Sequence, residues 1–85
     1  MELSVIIVSF NVRDYLSQAV ASVIAATASV DSEIIVVDNC SSDGSPETTE
    51  LQFMNVRVMR NETNIGFGAA CNEGIRASSG SFILI

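Results

Sequence analysis

A chain of 85 residues that is 48% hydrophobic and only 16% charged can bury the core of one small domain, and not two. A net charge of −6 without any lysine excludes a basic groove for nucleic acid, a patch for anionic lipid, a P-loop and Schiff-base chemistry; without histidine, imidazole chemistry is excluded as well. The apolar run at the amino end lacks a basic region and is too short for a signal peptide or a membrane span, so the segment reads as cytoplasmic with no span.

Residues 3–10 form an aliphatic run and read as the first strand. Asn11, with Asp14 three residues on, resembles a capping box that opens a helix. Leu16, Val20, Val23, Ile24 and Thr27 then recur at helical spacing and predict one face packed on a sheet. Residues 33–38 carry branched side chains on both faces, as in a strand buried on both sides of a parallel sheet. Asp38 stands where that strand gives way to a polar loop. Asp43-Gly44 is a turn dipeptide with Gly44 free to take positive φ, and Ser45, Pro46 and Glu47 read as an N-cap, a first-position proline and a first-turn acid. That helix runs to about Gln52. Residues 56–59 form a short third strand, placed at an edge by the charge of Arg57. After a polar loop, Phe67, Ala70, Cys71, Gly74, Ile75 and Ser78 supply the buried stripe of a third helix, with Ala69, Ala70 and Gly74 small enough for close approach to the sheet. Ser79-Gly80 reads as its C-cap, and residues 81–85 begin a fourth strand. Cys40 and Cys71 are too far apart for a metal knuckle and read as free, buried or half-buried thiols.

Strand and helix alternate three times before the last strand, which predicts an α/β fold with a parallel sheet and right-handed crossovers. Three loops, 9–11, 38–45 and 61–67, should then converge at the carboxyl edge, where such sheets bind ligands. They are rich in hydrogen-bonding groups and poor in cations, which suits a nucleobase or sugar; a pyrophosphate there would need a divalent cation for neutralisation. Asp38 either serves such a pocket or ends its strand and caps its own turn. Phe10 is either core or a stacking wall, and Asn64 and Gly66 either line the site or only start the next helix. Asn72 lies beside the apolar stripe, where asparagine is costly unless satisfied. The first turn contains no glycine and no Walker sequence occurs, which disfavours a nicotinamide dehydrogenase and a P-loop NTPase.

Three pieces carry a family resemblance: Ser4-Val5-Ile6-Ile7-Val8-Ser9-Phe10-Asn11, Ile35-Val36-Val37-Asp38-Asn39 with Ser41-Ser42-Asp43-Gly44-Ser45, and Asn64-Ile65-Gly66-Phe67-Gly68-Ala69-Ala70-Cys71-Asn72-Glu73-Gly74-Ile75. In order and spacing they resemble the N-terminal, nucleotide-sugar-binding part of a family 2 glycosyltransferase of the GT-A fold, nearest its bacterial rhamnosyltransferase-like branch, over essentially the whole of residues 1–85. The resemblance implies a three-layer α/β/α sandwich with strand order 3-2-1-4, cut within or just after the fourth strand. It implies transfer of a sugar from a nucleoside diphosphate to a sugar or lipid-linked acceptor, inverting and assisted by Mg2+ or Mn2+, in bacterial cell-surface polysaccharide synthesis at the inner face of the membrane.

Residue by residue, the resemblance makes Ser9, Phe10 and Asn11 the start of the base and ribose pocket and Asp38 the acid toward a pyrimidine. Asp43 becomes a second pocket acid or an organiser of the loop, and Asn64, Gly66 and Asn72 the wall over base and ribose. The metal-binding Asp-x-Asp and the catalytic base are expected beyond Ile85, so neither metal ligand nor catalytic residue is assigned here, and the exposed last strand is a candidate surface for homo-oligomers. Two other readings stand beside it. One is a non-enzymatic module that binds a nucleotide or a partner; the other is a receiver-like phosphoacceptor at Asp38, which lacks the lysine such a site needs.

Overall fold

The computed structural model describes residues 1–85. Its centre is β2 (Ser32–Asp38), whose run Ile34-Ile35-Val36-Val37 is buried on both faces. A strand apolar on both sides is stable only between two helical layers, and the chain supplies them. β2 pairs in parallel with β1 (Leu3–Ser9) and with β3 (Arg57–Arg60), and β1 pairs in parallel with β4 (Phe82–Leu84). The order is β3-β2-β1-β4, as expected, with Arg57 exposed on an edge strand.

Side chains of alternate parity face opposite layers. Val5, Ile34, Val36 and Val56 pack with Leu16 and Val20 of α1 (Arg13–Ala26), joined by Phe53 just past α2 (Ser45–Gln52). Ile6, Ile35 and Val37 pack with Ala70 of α3 (Phe67–Ala77) on the other face. The three layers are therefore α1 and α2, the sheet, and α3. Close approach of α3 depends on Gly74, where an added Cβ would collide with Ile6 and lie 3.3 Å from Val37.

At the edge of the sheet away from the three loops, Glu33 fixes the entry to β4. Its Oε2 accepts Ser4 Oγ at 2.6 Å, Ser79 N at 2.7 Å and Ser79 Oγ at 3.0 Å. Ser4 Oγ in turn accepts Gly80 N at 2.8 Å, and the backbone passes so close that a Cβ on Gly80 would sit 2.6 Å from Ser4 N. The largest hollow, about 390 Å³, also lies away from the three loops, between the ends of α1 and α2, and is lined by Ile24, Phe53, Met54 and Val56 among others.

Several local expectations are corrected. Asn11 and Asp14 form no capping box: α1 starts at Arg13, its N-cap is Val12, and no side chain of its own caps it. The helix after Asp43 starts at Ser45 with Gly44 as N-cap at φ 79°, so Pro46 is second and not first. Phe67 is 66% exposed, since it stands in the first turn where α3 has not yet reached the sheet. The last helix ends at Ala77 with an extended Ser78 as C-cap, and Ser79-Gly80 serves the Glu33 network instead. Asn72 is exposed on α3, so its amide meets water and carries no burial cost. Cys71 is a buried free thiol, while Cys40 is free and exposed.

Candidate functional site

The three loops meet at the carboxyl edge because the sheet's hydrogen bonding continues into them. Asn39 N donates to Ser9 O at 2.8 Å, and Asn61 N donates to Asp38 O at 2.8 Å. Just beyond, two residues other than glycine take positive φ, Asn11 at 50° and Cys40 at 68°. Such backbone is uncommon, and asparagine tolerates it best. Asn11 is held there by a reciprocal pair: its N–H donates to Ser41 Oγ at 2.9 Å, and its Oδ1 accepts Ser42 N at 2.8 Å. The first two loops are thereby zipped together.

Asp38 is 2% exposed. Its Oδ2 accepts Ser41 N at 2.9 Å, the turn-capping role open to it in the sequence. Its Oδ1 is shielded from solvent and has no partner. Ser9 is the register partner of Asp38 on β1, and its Oγ is equally buried and equally without a partner. A carboxylate oxygen and a hydroxyl, both unspent, thus stand side by side on adjacent strand tips. Buried polar atoms are nearly always paired, so two such atoms side by side single this strand tip out. Ser45 Oγ, at the start of α2, is a third.

Asp43 spends both its oxygens on backbone. Oδ2 accepts Arg13 N at 3.0 Å and Oδ1 accepts Ser45 N at 3.0 Å, while Arg13 Nη1 donates to Asp43 O at 3.2 Å. The Ser45 hydroxyl, then the Ser45 and Arg13 N–H groups, hold the Asp43 carboxyl below its ordinary range. The hydroxyl lies near the Asp43 carboxylate but outside strict hydrogen-bond geometry. A shallow hollow of about 290 Å³ beside Asp43 is lined by Asn11, Val12, Arg13, Asp14 and Tyr15.

The third loop is shaped by Asn64, whose Oδ1 accepts Gly66 N at 2.9 Å, and by Gly66 at φ 87°. Phe10, 47% exposed, stands at the rim and is not core; Ile65 and Phe67 are exposed as well. The structure therefore brings Ser9, Asn11, Asp38 and Asp43 into one bonded assembly and reaches Asn64 and Gly66 through Asn39. Asn72 stands apart on the exposed side of α3. Sequence reasoning missed Asn39, Ser41 and Arg13 as parts of this assembly. Only the 2% exposure of Asn39 separates it from an ordinary loop asparagine, and burial is not written in one sequence.

The carboxylates here do not fit a metal centre. No group of three or more acids, thiols or imidazoles converges, both oxygens of Asp43 hold N–H groups, and one oxygen of Asp38 does so too. No helix is long and apolar enough to cross a membrane.

Residues 4–85 match the model of the family described as Glycosyl transferase family 2. An uncharacterized glycosyltransferase of Nostoc sp. is 40% identical, the match covering 98% of this chain and 26% of that protein. The N-acetylglucosaminyl-diphospho-decaprenol L-rhamnosyltransferase of Mycobacterium tuberculosis is 33% identical, over 86% of this chain and 24% of that protein. Among solved structures, S. aureus TarS 1–349 superposes with a TM-score of 0.86 at 29% identity, covering 98% of this chain and 26% of that one. The same TarS segment in complex with UDP-GlcNAc gives a TM-score of 0.84 at 28% identity, over 99% of this chain and 25% of that one. The chain thus spans about a quarter of the length of the relatives it matches, 26% and 24% for the two curated proteins.

Proposed function

The chain belongs to glycosyl transferase family 2, and from that membership we propose that it forms the donor-nucleotide end of an enzyme that moves a sugar from a pyrimidine nucleoside diphosphate to an acceptor. One observation carries the reading at this site: Ser9 Oγ and Asp38 Oδ1 are buried, adjacent and unpartnered at the carboxyl edge of a parallel sheet. The N–H and carbonyl edge of a pyrimidine offers a donor for the carboxylate oxygen and an acceptor for the hydroxyl. The UDP-GlcNAc complex of TarS supports a donor of this class.

In this reading Phe10 is the stacking surface at the rim, and Asn11 shapes the pocket beside it. Asn64 and Gly66 form the facing wall, and Asn72, exposed on α3, reaches the ligand only from outside that wall. Asp43 is the organiser of the loop, because its two oxygens already hold Arg13 and Ser45. Neither Ser9 Oγ nor Asp38 Oδ1 is open to solvent, so entry of the base requires one of these side chains to turn.

The finer features belong to the same proposal. The displacement at the anomeric carbon is direct and inverting. A divalent cation, Mg2+ or Mn2+, is held by an Asp-x-Asp beyond Ile85 and not by the carboxylates described above. The acceptor is a sugar or a lipid-linked sugar, a class supported by the name of the mycobacterial relative. The setting is bacterial cell-surface polysaccharide synthesis on the cytoplasmic side of the membrane.

The test is turnover. Protein carrying this chain, supplied with UDP- or dTDP-sugars, a divalent cation and candidate acceptors, should release nucleoside diphosphate in an acceptor-dependent way. Nucleotide binding with no transfer to any acceptor would leave a binding module instead.

A further inference from the structure

Asn39 is the one side chain that reaches from the tip of β2 to the loop after β3 and to the start of α3. It is 2% exposed, and both ends of its amide are hydrogen-bonded. Its N–H donates to Ser9 O at 2.8 Å, which ties it to β1. Its Oδ1 accepts Asn61 Nδ2 at 2.9 Å and Ile65 N at 3.5 Å. Its Nδ2 donates to Gly66 O at 3.1 Å, an oxygen that also accepts Ala70 N in the first turn of α3. The backbone N–H of Ile65 and the carbonyl of Gly66 settle which way the amide points. The amide carries a donor and an acceptor on one planar group, and an ionised aspartate or a leucine cannot reproduce both halves of this clamp. On the other side of the strand tip the adjacent residue, Asp38, carries the unspent oxygen.

We propose that Asn39 is the positioning residue of the donor site: it fixes the distance between the strand tip carrying Asp38 and the wall formed by residues 64–66. The inference rests on the nucleotide-site reading above and adds a residue that touches no ligand itself. A pocket whose walls are preset loses less freedom when its ligand enters, so the clamp contributes affinity without contact. Cys40 reinforces the same closure from the next position, its Sγ donating to Glu62 O at 3.2 Å.

The variant Asn39→Asp isolates one half of the clamp. It keeps an acceptor for Asn61 and Ile65 and sets a carboxylate oxygen against the Gly66 carbonyl, reversing that contact. Affinity for UDP and dTDP is measured by calorimetry at a temperature where both proteins are fully folded, with amide hydrogen exchange recorded on the same samples. We expect about ten-fold weaker nucleotide binding and faster exchange confined to residues 62–70. Asn64→Ala made in both backgrounds should show coupling, its effect shrinking when Asn39 is already changed. A role limited to holding up the fold would lower the melting temperature while the folded protein still bound UDP with unchanged affinity and the two changes stayed additive; that result overturns the proposal. If Asn39→Asp does not fold, Asn61→Ala carries the test, because it loosens the same oxygen without touching β2, with about three-fold weaker binding expected and unchanged binding refuting it. Wild-type protein that binds neither UDP nor dTDP removes the nucleotide-site reading and this inference with it, whereas wild-type binding with an unaffected Asn39→Asp removes the inference alone.

Discussion

Asp43 Oδ2 accepts the backbone N–H of Arg13 at 3.0 Å, so the first turn of α1 is capped by a residue thirty positions away and not by its own leading asparagine. Asn11, freed from capping, binds Ser41 and Ser42 in the same loop. The start of α1 and the loop after β2 therefore stand or fall together, and a ligand that orders one orders the other.

Two carboxylates tie such remote segments, and both should make stability depend on acid. Glu33 is held below its ordinary 4.5, first by the Ser4 hydroxyl and then by the Ser79 N–H. Asp43 is held below its ordinary 3.8, first by the Ser45 hydroxyl. A carboxyl whose pKa is lower in the folded state binds fewer protons there than in the unfolded chain, so stability rises with pH through this window. The contribution is complete above the ordinary values and is lost as pH falls through the lowered ones. Denaturant midpoints should accordingly drop between neutral pH and about pH 3. Glu33→Gln should cost about 1–2 kcal/mol at neutral pH, with allowance for partial exposure, and should flatten part of that acid dependence. An unchanged acid slope in the variant would show that the Glu33 network contributes nothing.

Gly74→Ala should destabilise the fold by about 1–3 kcal/mol. The added methyl would meet the side chain of Ile6, which is 1% exposed and has nowhere to move, and that of Val37, which is fully buried. Thermal unfolding of the variant checks this, and a melting temperature equal to or above the wild type would show that α3 lies farther from the sheet.

Much of this fold was legible because its signals are local. Branched runs at residues 34–37, helical spacing at Leu16 and Val20, and Gly44 at the turn each state their conformation within a few residues. Strand order and the convergence of three loops followed from the resemblance and from the parallel crossovers. The illegible parts are partnerships between remote residues. Asn11 looked like a helix cap because a capping box and a loop-binding asparagine share one local pattern, and only the position of Asp43 decides between them. Phe67 looked like core because periodicity cannot say where along a helix the sheet begins to cover it. Asn72 has the helical spacing of a half-buried position and is exposed, whereas Asn39 has the look of a loop residue and is buried.

The last strand should drive association of the isolated 85-residue polypeptide. β4 pairs with β1 alone, and Phe82, Ile83 and Leu84 are 71%, 42% and 56% exposed. An apolar edge with unpaired backbone groups is a template for a second chain. Light scattering after size-exclusion chromatography should show dimers or larger species at high concentration, and Ile83→Lys should reduce them. A monomer at every concentration would mean that this edge is too short to pair.

The claim that the carboxyl edge of the sheet is a pyrimidine-nucleotide site is tested most directly by titrating UDP into the protein while its amide NMR signals are followed, with GDP as control. The account predicts that UDP shifts cluster at Ser9, Phe10, Asn11, Asp38, Ser41 and residues 64–66, that GDP produces far smaller shifts, and that Asp38→Asn weakens UDP by about ten-fold or more while the fold persists. Equal responses to the two nucleotides, shifts centred on the hollow between α1 and α2, or an Asp38→Asn protein that binds UDP as the wild type does would contradict it.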